Sequence, residues 1–417
     1  MNRHINQTST KRLSRIIALA LSCASFNSLA TSLTMNDAIN LTLSKNPELQ
    51  SYAHKAEANE GLVQQAGVGQ AKKLSVGIED ALGTGSYSGI KGAKTTVSLS
   101  WLLEQSILDS KVAVASSKTK LIQLERDSDA IDLAATTAKY FIEVLSLKEQ
   151  FKLSKLAESQ AETALEQIKT LVKRGKLNRI TELRAEADLA QKTLVVEDLE
   201  HEIVVAKNSL ASLWGGSANF TIDGELLVEP QIAAQKTLET KLTQSPAYQL
   251  YSARQAITTS KVQLAKATAA PAWEVKTGIS RNEAVDDFGF NAGISIPLGG
   301  NDRNRGQIIA LTSQQKIEQT HAQSWLNQSK AELYKVSVQF SHNQHVIETL
   351  SDKIIPTLND ANKLAEQAFK QGRYSYSDWY LIQQELLDNQ KQLIETYTNI
   401  QLNNIEIQRL TANYATK

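Results

Sequence analysis

Two pairs of short alternating segments interrupt a chain whose pattern is otherwise helical. In residues 71–104, apolar side chains alternate with small or polar ones on both sides of a glycine-rich connection. Residues 272–298 repeat this arrangement. Period-2 alternation is typical of strands with one apolar and one polar face. The predicted apolar face includes Val97, Leu99, Trp101, Trp273, Phe290 and Ile294.

The length and alternation of these segments suit a membrane-spanning barrel, whose strands run about 9–11 residues with apolar side chains outward. We therefore predict that the six residues face lipid, and that Ser98 and Ser295 face a lumen. Alternation over a short run is a weak signal, so the other interpretation is two surface hairpins on a soluble helical protein.

The helical segments also occur twice. Gly372 follows Gly175 by 197 residues, and Pro246 follows Pro47 by 199. Landmarks that share one offset indicate a tandem repeat. The predicted divisions are a signal peptide at 1–30, a first repeat at 31–216, a crossover at 217–236 and a second repeat at 237–417.

Each repeat is predicted to contain a helix, a β-hairpin, a long helix, a turn at a glycine and a further helix. The predicted long helix of the first repeat, 106–171, has a length of roughly 100 Å at 1.5 Å per residue. Its apolar positions follow a heptad spacing that is typical of coiled coils. The hairpins are predicted at 72–104 and 272–298, the long helices at 106–171 and 304–371, and the turns at Gly175 and Gly372.

The N-terminus is typical of an exported protein. A basic start precedes an apolar stretch at 16–26, and Ser28-Leu29-Ala30 is a small-x-small cleavage motif. Cys23 is the only cysteine, and its surroundings form an imperfect lipoprotein site. Cleavage after Ala30 leaves a mature chain without a cysteine, whereas lipidation would retain Cys23.

Composition and motifs exclude several function classes. The net charge is +1, which gives no indication of a nucleic-acid partner. No phosphate-binding loop or supported catalytic triad is present, so we predict no enzymatic activity and no cofactor. His342 and His345 have the spacing of a metal-binding pair on a helix. No third ligand is evident, and exposed positions on a long rod are the preferred interpretation, so no metal site is predicted.

An open sheet of four strands cannot persist in lipid, because every backbone group there must be paired. Eight strands, from two chains, would give a barrel that side chains fill. Twelve strands, from three chains, can enclose an open bore. We therefore predict a mainly α fold with a small membrane β part, in which a homotrimer forms a 12-stranded β-barrel continued by an α-helical barrel.

Local motifs resemble those of TolC-type outer-membrane efflux proteins. Residues 33–39 and 46–49 resemble the N-terminal opening of the family, and residues 296–306 resemble its strand-to-helix junction. The segment 369–378, FKQGRYSYSD, is similar to the last helix tip of the CzcC-like heavy-metal efflux branch. The resemblance covers residues 33–414.

This resemblance implies an outer-membrane conduit whose helices extend into the periplasm. It implies two partners: a periplasmic adaptor, and an inner-membrane pump of the resistance-nodulation-division or ABC type. The two helix tips would form the periplasmic mouth, closed at rest. The adaptor would contact the tips at Gly175, Gly372, Arg373, Tyr374 and Ser375.

The resemblance also places a pore carboxylate at Asp378, with Glu182 of the first tip as a possible second charge. Three copies of Asp378 would form an acidic ring that favours cations. A second aspartate three residues on is absent, because that position is Leu381. The alternative role of Asp378 is a carboxylate that meets the dipole of a helix N-terminus. The alternative role of Gly175 and Gly372 is purely structural, as residues that end a helix.

Several alternatives remain open at the level of sequence. The aromatic residues of the second tip either pack a closed mouth or contact an adaptor. The cargo is a heavy-metal cation, a drug or lipophile, or a polypeptide leaving by type I secretion. A non-channel coiled-coil structural protein of the periplasm is the remaining class.

Overall fold

The computed structural model describes residues 31–298 and 302–413. The predicted signal peptide with Cys23, Asn301 of the predicted junction and the last four residues lie outside this part. The elements of the first half are β1 (Thr31–Leu33), α1 (Met35–Lys45), α2 (Pro47–Ala66), β2 (Lys73–Glu79), β3 (Lys94–Leu103), α3 (Gln105–Lys173) and α4 (Arg179–Ser212).

The second half has the same order of elements after a short connection. Its long helix contains a π-helical segment at Leu350–Ile354. The elements are β4 (Phe220–Ile222), α5 (Gln235–Leu242), α6 (Pro246–Ala269), β5 (Trp273–Asn282), β6 (Asp287–Ser295), α7 (Arg305–Thr349), α8 (Ile355–Lys370) and α9 (Tyr376–Leu410).

The central helix of the protomer is α3, which contacts α2, α4, α6 and α9. Its 69 residues make a rod of about 100 Å. Ala134, Ala135 and Ala138 on its buried side are at most 1% exposed. Small side chains let neighbouring helices approach closely, so a narrow alanine seam holds α3 between its partners.

The four longer strands form one antiparallel sheet in the order β2-β3-β5-β6. The two hairpins therefore join along β3 and β5, and one strand from each half lies at an edge. In the register, Val97 of β3 lies opposite Val76 of β2 and Ile279 of β5. Ile279 in turn lies opposite Phe290 of β6. Apolar positions of all four strands thus share one face.

A second, two-stranded sheet lies between the helical segments. The strand β4 pairs in parallel with β1, with Leu33 opposite Ile222. Phe220 and Ile222 pack into the main hydrophobic core with Phe141 of α3. Within the crossover predicted at 217–236, the structure contains the strand β4, which the sequence did not indicate. Three-residue strands are too short to show an alternation that could be recognised.

The long helix predicted at 304–371 is interrupted. The π-helical segment ends just before Pro356, which stands in the first turn of α8. Proline has no N–H to donate and its ring clashes with the carbonyl four residues earlier, so a regular α-helix cannot pass through it undisturbed. A locally wider turn accommodates the proline, and the helix continues to Lys370.

Equivalent turns end α3 and α8. Gly175 and Gly372 both have positive φ, +70° and +72°, which glycine adopts without steric cost. The N–H of Lys176 donates to the carbonyl of Leu171, and that of Arg373 to the carbonyl of Ala368, each at 2.9 Å. These are Schellman-type helix ends. The two helix ends therefore share the same backbone hydrogen bonds, at an offset of 197 residues.

Candidate functional site

The outer face of the four-stranded sheet is apolar and exposed. Phe290 and Ile294 of β6 are 74% and 64% exposed, and Trp273 of β5 is 46% exposed. Val97, Leu99 and Trp101 of β3 lie on the same face, because Trp101 pairs with Val275 and Val275 with Ile294. The six residues predicted to face lipid thus form one continuous surface, which water solvates poorly.

The opposite face carries small and polar side chains. Ser98, Ser100 and Ser280 lie on it and are 4%, 8% and 6% exposed. Gly278 lies beside Ser98, where an added Cβ would come 2.5 Å from the carbonyl oxygen of Val97. Only glycine fits here, so the strands approach closely on this face.

Within the described chain, β2 and β6 each pair on one side only. Their outer edges therefore present a row of N–H and C=O groups without a partner strand from the same protomer. Such edges are templates for pairing with another chain. The apolar face is thus bounded by two open edges.

The second helix tip is built around an N-terminal cap. The Oγ of Ser375 accepts a hydrogen bond from the backbone N–H of Asp378 at 3.1 Å, and donates to the Asp378 carboxylate at 2.6 Å. Asp378 is exposed at the start of α9. The carboxylate therefore has a local helix-capping role. Its position at the helix tip is also compatible with the predicted pore role.

The first tip differs in charge. Glu182 forms an ion pair with Arg179, and the hydrogen bond from Arg179 to Glu182 raises the pKa of the guanidinium. At the offset of 197, the equivalent of Asp378 is Thr181, whose N–H donates to the side chain of Asn178 at 2.9 Å. A charge contributed by Glu182 would thus be compensated locally, unlike that of Asp378.

The aromatic residues of the second tip pack mainly inside the protomer. Trp379 stacks on Phe369 with ring centroids 5.1 Å apart, and its indole N–H donates to Asn362 at 3.0 Å. Burial, together with nearby Asp188, raises the pKa of Tyr376 to about 12. Trp379 and Tyr376 thus belong to the core between α3, α4, α8 and α9, whereas Tyr374 remains 39% exposed.

Three polar contacts join the first tip helix to the second. The hydroxyl of Tyr380 donates to Asp188 at 3.1 Å, Arg184 donates to Ser377 at 3.1 Å, and Lys192 donates to Gln384 at 3.1 Å. They hold α4 and α9 in one relative position. Sequence reasoning missed them, since the partners lie more than 190 residues apart.

A half-buried ion network joins α3 to α9 farther from the tips. Glu406 accepts hydrogen bonds from Lys139 at 3.1 Å and from Arg409, which also donates to Asp132 at 3.0 Å. Burial raises the pKa of Glu406, but the bonds from Arg409 and Lys139 outweigh this effect and hold it below its ordinary value. No local pattern in the sequence indicates this network.

His342 and His345 lie exposed on α7, and His345 is 4.0 Å from Glu348. In the described ranges, no group of three or more His, Cys, Asp or Glu side chains is arranged to hold a metal ion. Among the same residues, no helix is both long and apolar enough to cross a membrane.

The architecture consists of long helices that carry a four-stranded sheet with one apolar, exposed face. Residues 38–216 match the family described as outer membrane efflux protein. Cobalt-zinc-cadmium resistance protein CzcC of Cupriavidus metallidurans is 23% identical over 366 residues, which cover 87% of this chain and 84% of that protein.

Solved channel structures share the fold. The CusC channel aligns with a TM-score of 0.73 and 14% identity, covering 92% of both chains. VceC of Vibrio cholerae aligns with a TM-score of 0.72 and 16% identity, covering 90% of this chain and 95% of that one. The chain is thus similar to outer membrane efflux proteins, and its resemblance to the TolC-type family and to CzcC is confirmed.

Proposed function

We propose that this chain is one third of a trimeric channel in the outer membrane, the exit duct of a tripartite efflux system. The observation that supports it best is the four-stranded sheet with an exposed apolar face and two open edges. Lipid would cover the apolar face, and strands of neighbouring protomers would pair with β2 and β6. We assign it no catalytic role, in keeping with relatives that are efflux channels.

Strand closure favours three copies. Each protomer supplies four strands, so two copies give eight, a barrel with an interior just wide enough for side chains to fill it. Three copies give twelve strands and leave room for a bore. A closed cyclic trimer pairs every edge and satisfies the backbone in lipid.

The helices also need lateral neighbours. On α4, Leu183 and Leu194 are 50% and 56% exposed, and Ala187 and Ala190 between them are exposed as well. Their spacing of four, three and four residues is that of a coiled-coil seam. The proposed occupant of this seam is a helix of the adjacent protomer, which would continue the barrel into the periplasm.

Trimer formation is tested on the full-length protein extracted from outer membranes with mild detergent. We expect native mass spectrometry to give three protomer masses, and chemical cross-linking in the membrane to stop at the trimer. The trimer should migrate as one band without heating and as the monomer after heating. A stable membrane monomer with no larger species would contradict the proposal.

The proposed partners are a periplasmic adaptor and an inner-membrane pump, contacted at the tips by Gly175, Gly372, Arg373, Tyr374 and Ser375. The supporting observation is that Tyr374 remains exposed beside a buried aromatic cluster. A photo-cross-linking residue at Tyr374 should capture the adaptor in whole cells. The matched control is Tyr334, which is 65% exposed on α7. Equal capture at both positions would contradict docking at the tip.

The proposed cargo is heavy-metal cations, and the support is likeness to a cobalt-zinc-cadmium resistance protein. Deleting the chain should sensitise its host to these metals, and restoring it should reverse the effect. Sensitivity to lipophilic drugs alone would indicate a drug duct instead. Loss of a secreted polypeptide would indicate type I secretion. An unaltered phenotype and no conductance in reconstituted bilayers would favour a structural periplasmic protein.

A further inference from the structure

We propose that Lys73 and Lys276 of the three protomers form an anion-binding ring inside the β-barrel of the channel. We call this ring the collar. This inference rests on the proposed trimer but not on its cargo. Lys73 and Lys276 both lie opposite Ser100 in the register, and Lys276 also lies opposite Gly293. The three positions on β2, β3 and β5, with Gly293 on β6, therefore form one row across the sheet.

The row lies on the inner face. The neighbouring positions along the strands, Leu74 and Val275, belong to the apolar face, and strand side chains alternate. Lys73 and Lys276 must therefore project from the side that carries the buried serines. With the apolar face against lipid, that side is the lumen of the proposed barrel.

Small neighbours leave the lysine side chains free to extend. The positions between and beside them are Ser100 and Gly293. The adjacent row consists of Ser75, Ser98, Gly278 and Asn291. The row on the other side consists of Leu102, Glu274 and Ser295, so Lys73 and Lys276 are the only cations in these three rows of the described sheet.

Carboxylates do not neutralise this row within the described chain. No Asp or Glu oxygen there lies within 4.0 Å of the ammonium group of Lys73 or Lys276, whereas nine other lysines of the described residues have such a contact. Glu274 lies on the same face, two residues along β5 from Lys276. The other inner-face charges, Glu79, Lys94 and Asp287, share a single row at the far end of the strands.

Threefold symmetry would repeat the two lysines around the lumen as a ring of six positive charges. Screening acts over about 8 Å at physiological ionic strength, so charges confined in a bore reinforce one another. Rings of Lys or Arg favour anions in pores. The expected ligand is a multivalent anion with phosphate-type or carboxylate oxygens, held by several ammonium groups at once.

The collar is tested in planar bilayers with the purified full-length trimer. Under a KCl gradient, the Lys73→Gln/Lys276→Gln double variant should shift the reversal potential toward greater cation preference. Micromolar inorganic tripolyphosphate should reduce the wild-type conductance at least twofold and should leave the conductance of the double variant unchanged. The Lys73→Arg/Lys276→Arg variant keeps the charge and should retain the block.

Lys72 provides the matched control. It immediately precedes Lys73 but lies before the start of β2, outside the row across the sheet, so Lys72→Gln removes an equal charge that is not part of the collar. This variant should behave as the wild type does. If the double variant and Lys72→Gln behave alike in a conducting trimer, the collar proposal is contradicted. The proposed channel function is unaffected by that result. If the wild-type protein forms no conducting trimer, the proposed function itself fails.

Discussion

At the scale of single residues, Asp378 combines a local and a proposed global role. Its carboxylate accepts a hydrogen bond from the Ser375 hydroxyl and stands in the first turn of α9, where a negative charge is stabilised by the helix dipole. The same residue is exposed at a helix tip. Thr181 occupies the equivalent place in the first half, so the two tips contribute unequally to any ring of charge.

Asp378→Asn should lower the cation preference of the reconstituted channel, because three carboxylates would be lost from the proposed mouth. The amide oxygen of asparagine can still accept the hydrogen bond from the hydroxyl of Ser375, the N-cap residue, so the trimer should form normally. Asp378→Arg should lower the cation preference further or reverse it. Single-channel reversal potentials measure both changes. Unaltered selectivity in both variants, with normal trimer yield, would leave Asp378 with its capping role alone.

Ala412 has a left-handed backbone conformation that is unfavourable for a residue with a Cβ atom. It has φ +53°, at an offset of 197 from Gly215, which has φ +67°. Ala412→Gly should therefore stabilise the protein by about 1 kcal/mol, since the Cβ is unfavourable in this conformation. Thermal unfolding in detergent measures the shift. Gly215→Ala is the reciprocal control and should destabilise by a similar amount; a lower unfolding temperature for Ala412→Gly would contradict the argument.

At the scale of elements, the sheet divides into two chemically distinct faces. Ser98 lies on the inner face as the alternation predicted, but it is 4% exposed and packs against Gly278. A large side chain does not fit there. Asn291, in the same row on β6, is exposed and is the better lumen position for a test.

Leu99→Lys should impair insertion and trimer assembly by about 2–4 kcal/mol, the cost of a cation on the lipid face near the midplane. Asn291→Lys should leave assembly intact and alter conductance. Heat-modifiable trimer yield from outer membranes compares the two variants directly. Equal tolerance of lysine at both positions would exclude a membrane barrel formed by this sheet.

At the scale of the whole molecule, polar networks between distant helices determine how the rods are held together. The contacts of Lys139, Asp132, Glu406 and Arg409 join α3 to α9, and Tyr380 with Asp188 joins the two tips. These groups lie in two separate parts of the rod. If the proposed channel opens by movement of its tips, the network at Glu406 need not break.

The Glu406 network should make stability depend on pH. Because the folded-state pKa of Glu406 is lowered, its contribution is present above the unfolded pKa, near 4.3, and is lost as pH falls through the folded value. Glu406→Gln should lower the unfolding temperature at neutral pH, and the difference from wild type should shrink below about pH 4. Thermal unfolding of both proteins from about pH 3 to about pH 8 measures this difference in unfolding temperature.

The control for this prediction is Glu395→Gln in the same helix. Glu395 faces Lys391 at 4.0 Å with 54% of its side chain exposed, and exposed pairs contribute at most about 1 kcal/mol. The control should be nearly neutral at every pH. A constant difference between Glu406→Gln and wild type throughout the range would exclude the proposed titration.

Much of the architecture followed from local patterns. Alternation identified all four strands of the larger sheet. The sequence could not show β4, which is only three residues long, or the pairing of β1 with β4 across almost 190 residues. The π-helical segment was also missed, although Pro356 is a local signal that could have indicated it.

Periodicity and turn chemistry were determined by the sequence alone, because they depend on neighbours within a few residues. Gly175, Gly372 and the face of each strand could all be read in this way. The tertiary structure alone decided which polar groups meet. Asp188 with Tyr380, and Glu406 with Lys139, lie far apart in the chain and meet only when the long helices pack. No local pattern records such partners, since the free energy of each contact depends on the burial and geometry that packing creates.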